Sequence, residues 1–374
     1  VRVGIPKEIK VHEYRVAITP AGVHELVRHG HQVLVEQDAG TGSSVDDAEF
    51  AAAGAKILPT AADVWGEADL LLKVKEPIAE EYGLLRKDQV LFTYLHLAAS
   101  PECTQALVDA GATAVAYETV ELPGGMLPLL YPMSEVAGRM APQVGAHCLE
   151  REVGGRGVLM GGVSGVHAAK VVILGAGVAG MNAAAVSVGM WAETTVLDRD
   201  IEKLRRLDRM YRGQLQTVAS NTFEIEKAVL EADLVIGAVL VTGAKAPKLV
   251  SHELVGRMKP GSVLVDIAID QGGCFEDSRP TTHSDPTYRV ESSLFYCVAN
   301  MPGAVPHTST HALTNVTLPY VVAIADKGLG TAIAGDPALA LGVNIVGGHV
   351  VYDAVAAAHR LPSVPLAEVV GEIP

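Results

Sequence analysis

Residues 171–198 read VVILGAGVAGMNAAAVSVGMWAETTVLD: an apolar strand, a glycine turn, a helix of small residues, a second strand and an acid. Gly175, Gly177 and Gly180 fit the spacing G-x-G-x-x-G. In that motif the first glycine makes the tight turn, the second lets backbone approach a pyrophosphate, and the third lets helix pack closely on strand. The helix N-terminus then offers N–H groups and a positive dipole end to the phosphates. Asp198 closes the second strand about 20 residues on, where a carboxylate can bond a ribose 2′-hydroxyl. The glycine spacing alone also fits an ordinary turn in any α/β domain. Strand, helix and acid together predict a dinucleotide site. Asp198 favours NAD over NADP, because its charge would repel a 2′-phosphate.

A chain of 374 residues is long for one core, so two domains are expected. Hydrophobic residues make up 49% and charged residues 19%, a globular balance without signs of disorder. The net charge is −14, and no Lys/Arg cluster stands out, which argues against nucleic acid or an anionic membrane as partner. Cys103, Cys148, Cys274 and Cys297 are isolated, with no C-x-x-C pair and no metal-ligand spacing. They read as reduced thiols, and no metal site is expected. VRVGIPKEIK (1–10) starts directly with a strand and lacks a signal peptide's apolar core. The apolar stretch near 157–192 is explained by the glycine turn rather than a bilayer span. A soluble cytoplasmic protein is expected.

Before the fingerprint, short apolar runs recur at 2–6, 31–36, 55–58, 70–74, 90–95 and 113–118, with helical segments such as PAGVHELVRHG (20–30) between several of them. Such runs without strict alternation predict a parallel sheet covered on both faces. A second set follows at 171–174, 194–197, 215–218, 233–239, 262–269 and 295–300, the six strands that two mononucleotide-binding halves require. The expected fold is α/β: two Rossmann-like doubly wound domains with mainly parallel sheets and a cleft between them. Residues 130–304 would form the nucleotide domain. Residues 1–129 would be rejoined by a helical tail, 305–374, without a clear sheet of its own.

Ligands in open parallel sheets bind beyond the carboxyl ends of the strands. Arg15 follows the first strand, Lys75 ends LLLKV, His96 ends VLFTYL, Asp270 follows SVLVDIAI, and Asn300 ends FYCVAN. Each has a bland alternative. Arg15 could be a surface ion-pair partner, Lys75 a solvated strand end, His96 a core histidine, and Asp270 a turn cap. Their shared position favours a set. Oxidation of an amino or hydroxy acid by NAD fits it: Arg15 grips a carboxylate in two bonds, and Lys75 holds the carbonyl oxygen or orients the amine. A histidine, with an ordinary pKa of about 6.5, suits a proton shuttle near neutrality, and Asp270 could take the second proton-transfer role.

Longer stretches carry more. GIPKEIKVHEYRVAITP (4–20), KVKEP (73–77), LFTYLHLAA (91–99), AYETVE (116–121), PMSEVAGR (132–139), GGRGVLMGG (154–162), IGAVLVTGAKAPKLV (236–250), DIAIDQGGCFE (266–276) and ANMPGAVPHTST (299–310) occur in this order. With them the chain resembles the alanine dehydrogenases, of the alanine dehydrogenase/transhydrogenase nucleotide-binding subunit family, over nearly its whole length. The resemblance implies reversible NAD-dependent oxidative deamination of L-alanine to pyruvate and ammonia. It assigns substrate binding to Arg15 and Lys75 and acid–base catalysis to His96 and Asp270. It also implies NAD contacts from Ser134, Val178, Asp198, Lys203, Ser220, Val239, Leu240 and Arg279. Ile267, Ala268, Ile269 and Asp270, with Val298, Ala299, Asn300 and Met301, would border the nicotinamide. A homohexamer is implied as well.

Several positions depart from the family pattern. His12 stands where Asn is usual, Ser164 and Thr242 replace prolines, Pro142 should interrupt a helix, and Trp191–Glu193 is unusual before the second strand. Three other readings compete, one of them a saccharopine-type or lysine-linked dehydrogenase, which would need room for a longer second substrate. A transhydrogenase-like nucleotide-binding subunit would have no reason to keep Arg15, Lys75, His96 and Asp270 together. A non-enzymatic NAD sensor would be favoured by loss of an acid–base residue, and none is lost.

Overall fold

The computed structural model describes residues 1–239 and 246–374. In chain order the strands are β1 (Arg2–Ile5), β2 (Gln32–Glu36), β3 (Lys56–Leu58), β4 (Leu70–Leu72), β5 (Val90–Thr93) and β6 (Thr113–Ala116). There follow β7 (Lys170–Leu174), β8 (Glu193–Asp198), β9 (Gln216–Ala219), β10 (Leu234–Gly237), β11 (Val263–Asp266), β12 (Thr287–Val290) and β13 (Ser293–Tyr296), and then β14 (Val343–Val346) and β15 (His349–Val350). The chain divides into two compact units, Val1–Met133 with Val305–Pro374, and Ser134–Ala304.

In the first unit the sheet order is β15-β14-β6-β5-β4-β1-β2-β3. The strands β1 to β6 pair in parallel, and β14 and β15 add an antiparallel edge. The tail thus carries two strands of its own, where a purely helical return was expected. The helix Pro20–Arg28 follows from its sequence: Thr19 accepts the Gly22 N–H as N-cap, and Pro20 occupies the first turn, where its missing N–H costs nothing. Consecutive residues such as Leu70, Leu71 and Leu72 are all buried, so both faces of this sheet are covered.

The second unit has the order β12-β13-β11-β10-β7-β8-β9. Its six parallel strands run 3-2-1-4-5-6, and β12 extends the edge antiparallel to β13 as a seventh. Val171, Val172, Ile173 and Leu174 are buried in succession, the signature of a strand covered on both sides. The Rossmann-like α/β class expected from the glycine fingerprint holds for this unit, and the first repeats the same strand order.

Pro142 does not interrupt its helix, which runs unbroken over Tyr131–Cys148. No single helix among the described residues is long and apolar enough to cross a membrane. The pair Pro306–Lys327 and Leu329–Gly335 reaches that composition only together and is bent by 120°.

Candidate active site

In the first unit Arg15, Lys75 and His96 lie on the loops that follow β1, β4 and β5, at the carboxyl ends of three neighbouring strands. Arg15 is buried, not a surface ion-pair partner. Its Nε and Nη2 donate to Glu13 Oε1 and Oε2 at 2.7 and 2.6 Å, and Nη1 lies 3.0 Å from Met133 Sδ. A fork–fork pair of this kind fixes the guanidinium plane. Lys75 is half-buried, and burial together with the Arg15 guanidinium pushes its ammonium below the ordinary value.

His96 is exposed, which removes the reading as a core histidine. Its backbone is left-handed at φ 48°, a conformation that costs a non-glycine residue energy and persists only when neighbours impose it. Glu118 imposes it: its carboxylate accepts the Leu95 N–H at 3.1 Å and the His96 N–H at 2.6 Å.

Beneath these groups lies a charged cluster that the sequence reading missed. Lys73 is fully buried and donates to Glu8 Oε2 at 3.0 Å and Glu81 Oε1 at 2.8 Å. Burial opposes its charge, but the two carboxylates outweigh burial and hold the ammonium above its ordinary value. The other oxygen of Glu8 accepts the Val74 N–H at 2.6 Å and the Lys75 N–H at 3.3 Å. Glu8 therefore anchors the backbone that carries Lys75. The signal was present in the charges of PKEIKVHEYR and KVKEP, but partners 65 residues apart cannot be paired from spacing.

In the second unit the glycine loop joins β7 to the helix Val178–Gly189 between β7 and β10, where the strand order reverses. Gly175 has φ 109°, and a Cβ there would stand 2.7 Å from Ala238 O. A Cβ on Gly180 would meet Gly175 O at 1.8 Å. Gly177 caps the helix without a side-chain hydrogen bond, and a Cβ there would meet nothing within 4 Å. The helix N-terminus is thus left without a side-chain cap behind a loop that leaves room for a ligand, which fits a dinucleotide pyrophosphate. Asp198 ends β8, and its carboxylate accepts the Ala176 N–H at 2.6 Å and the Asp200 N–H at 2.8 Å.

The remaining candidates fall mostly on the same strand ends. Ser220 follows β9, and its N–H bonds Asp198 O at 2.9 Å. Val178 begins the fingerprint helix, and Lys203 lies in the first turn of the helix Ile201–Tyr211. Val239 follows β10; Leu240 lies outside the described residues, as does Thr242. Ile267, Ala268, Ile269 and the exposed Asp270 form the turn after β11, where Ile267 N–H bonds Gly237 O at 2.9 Å. Val298, Ala299, Asn300 and Met301 follow β13, and Asn300 O faces His283 Nε2 at 2.7 Å. Arg279 lies apart from the strand ends, its guanidinium carbon 4.0 Å over the Tyr288 ring. Ser134 lies in the helix Tyr131–Cys148.

Sequence reasoning also missed Asp266, the last residue of β11. It is fully buried and accepts N–H groups of Ala268 at 3.1 Å and Cys274 at 2.8 Å, and the Ser278 hydroxyl. Burial pushes its carboxyl up even against these donors. It shapes the turn that presents Asp270. A Cβ on Gly273, at φ 77°, would stand 2.6 Å from Asp266 Oδ2, so only glycine fits that close approach.

The four cysteines are buried and unpaired with one another, and burial pushes the Cys103 and Cys274 thiols up to about 12. Among the described residues no group of three or more His, Cys, Asp or Glu side chains is placed to hold a metal ion.

Two family models match the chain: the alanine dehydrogenase/PNT N-terminal domain over residues 4–137, and the C-terminal domain of the same family over 141–353. The chain belongs to the alanine dehydrogenase/PNT family. The alanine dehydrogenase of Mycolicibacterium smegmatis is 62% identical over 360 residues, 96% of this chain and 97% of the relative. A solved L-alanine dehydrogenase matches with a TM-score of 0.94 and 51% identity, covering 96% of this chain and 99% of that one. A transhydrogenase from Sinorhizobium meliloti matches with a TM-score of 0.80 at 27% identity, covering 95% and 100%. Within the alanine dehydrogenase/PNT family the chain is thus much more similar to the dehydrogenase than to the transhydrogenase. The dinucleotide loop of the second unit is what a nucleotide-binding member of this family requires.

Proposed function

We propose that this chain is an alanine dehydrogenase that interconverts L-alanine and NAD with pyruvate, ammonia and NADH. The observation that carries the reading is 62% identity, over 96% of the chain, to a protein named alanine dehydrogenase. The site residues support it. Arg15, with its plane set by Glu13, takes the substrate carboxylate, and Lys75 orients the amine or the carbonyl oxygen. When bound, NAD supplies the nicotinamide that accepts a hydride from Cα. Asp270 takes a proton from the substrate nitrogen as the imine forms. His96 takes a proton from the water that adds to the imine carbon, and returns it as ammonia departs. Gly175, Gly177 and Gly180 bring backbone to the pyrophosphate, Asp198 holds the adenosine ribose, and its charge favours NAD over NADP.

The other proposed contacts to NAD are Ser134, Val178, Lys203, Ser220, Val239, Leu240 and Arg279, with 267–270 and 298–301 at the nicotinamide. A homohexamer in the cytoplasm, with no nucleic-acid or membrane partner, completes the reading, and light scattering of the purified chain tests the assembly. The acid–base assignment is tested by His96→Ala and Asp270→Ala. Each is expected to lower turnover by about 100-fold or more while NAD still binds. Wild-type turnover in both variants would show that the acid–base pair is misplaced.

A further inference from the structure

The loop after β4 places a second acid beside His96. Glu76 is the residue after Lys75, and its side chain is 12% exposed against 40% for His96. One carboxylate oxygen, Oε1, is engaged by the Lys10 ammonium. The other, Oε2, is buried and makes no hydrogen bond. His96 Nδ1 lies 3.8 Å from it. At that distance no hydrogen bond is formed, but a small rotation of either side chain closes it. Contacts of catalytic groups are commonly long without substrate and tighten when it binds.

A buried carboxylate oxygen is costly to leave without a donor. Lys10 accounts for Oε1 only. The His96 imidazole faces Oε2 through Nδ1, a ring nitrogen able to donate to it. Glu118 is committed to the His96 backbone, so it fixes the turn and leaves the ring unfixed. Burial alone would raise the Glu76 carboxyl. The His96 imidazole and the Lys10 ammonium outweigh burial and hold it down to about 2, so it is anionic near neutral pH.

We propose that Glu76 is the positioning residue for His96, accepting its Nδ1–H and so directing Nε2 to the substrate. This rests on the reading of His96 as the acid–base group. The neutral imidazole carries its proton on Nδ1, toward Glu76, and keeps a lone pair on Nε2. When the adding water gives its proton to Nε2, the resulting imidazolium faces a fixed carboxylate across Nδ1. When Nε2 returns that proton to the departing nitrogen, the starting tautomer is restored, and the hydroxyl proton released as the carbonyl forms leaves with the ammonia as ammonium. Lys10 holds Oε1 and thereby the carboxylate plane. Glu118 selects the backbone conformation, Glu76 the ring tautomer.

The test compares Glu76→Gln, Glu76→Asp and His96→Ala in the full-length protein, by steady-state kinetics with L-alanine and NAD and by thermal melting. Glu76→Gln keeps the shape but presents an amide in place of the anion. The expected result is a kcat lower by about 10-fold or more, with KM for alanine and NAD within about 2-fold of wild type. Glu76→Asp should recover part of kcat. Imidazole ¹⁵N shifts of His96 should move from the Nδ1–H tautomer toward a mixture in Glu76→Gln. A tautomer change is not produced by mere loosening of the fold. If Glu76→Gln keeps wild-type kcat while His96→Ala loses it, the positioning role is overturned and the reading of His96 stands. An effect confined to KM, as expected from disturbing Lys75, overturns it too. If His96→Ala itself turns over normally, the reading of His96 fails, and the role of Glu76 with it.

Discussion

Gly177 and Gly180 are three residues apart and glycine for opposite reasons. At Gly180 a methyl group would collide with Gly175 O at 1.8 Å, so the turn or the helix must move. At Gly177 a methyl group meets nothing in the protein, and the space it would enter is that proposed for the pyrophosphate. Gly180→Ala is therefore expected to lower stability, by about 1–3 kcal/mol, and to weaken NAD binding. Gly177→Ala should melt like the wild type and still lose NAD affinity by about 10-fold or more. Thermal melting and NAD titration of both variants separate the two effects. Equal melting losses would contradict this account of Gly177.

At the scale of elements, the fingerprint helix ends in a Schellman motif with an unsuitable residue at its turning point. Trp191 N–H bonds Val188 O at 2.9 Å and Ala192 N–H bonds Ser187 O at 3.0 Å, which closes the last carbonyls. Trp191 has φ 65° and is 80% exposed, so it bears the left-handed strain with little burial in return. Trp191→Gly should stabilise the second unit by about 1 kcal/mol in chemical denaturation, and destabilisation would refute this reading. His12 is similar: it stands where the family pattern has Asn and takes φ 60°, a region Asn tolerates well.

The buried parallel strands were legible because each is a continuous apolar run, and the glycine spacing marked their first turn. Strands β12, β14 and β15 were not. TYRV and HV lie on sheet edges, and VNIV, although buried, is interrupted by Asn344 within a tail of helices, so none reads as a continuous apolar run. The place of Arg15, Lys75 and His96 at strand ends was legible because each follows one of those apolar runs. Glu8, Glu13, Glu76 and Asp266 were not legible, since their partners are set by the fold rather than by spacing. Pro142 shows the converse limit: a strong local breaker is accommodated inside an 18-residue helix.

For the whole molecule, the charges around the candidate site bear on stability against acid. Glu76 is held at about 2 from an ordinary 4.5, and Glu13, despite burial, is also held low by Arg15. A carboxyl depressed on folding contributes stability that is complete above its unfolded value and is lost as pH falls toward its folded one. For Glu76 that window runs from about 4.5 down to about 2 and is worth about 3 kcal/mol. Chemical denaturation from pH 7 to pH 3 should show stability falling below about pH 4.5, less steeply in Glu76→Gln. The same slope in both proteins would contradict the assignment.

Both units use the order 3-2-1-4-5-6, yet only the second carries the glycine fingerprint. The first instead places an arginine, a lysine and a histidine at its strand ends. The proposal that this division serves alanine oxidation is tested most directly by absorbance at 340 nm. Purified folded protein given NAD should form NADH with L-alanine, and scarcely any with L-lysine, L-glutamate or lactate. No alanine-dependent NADH from folded protein would contradict the proposal.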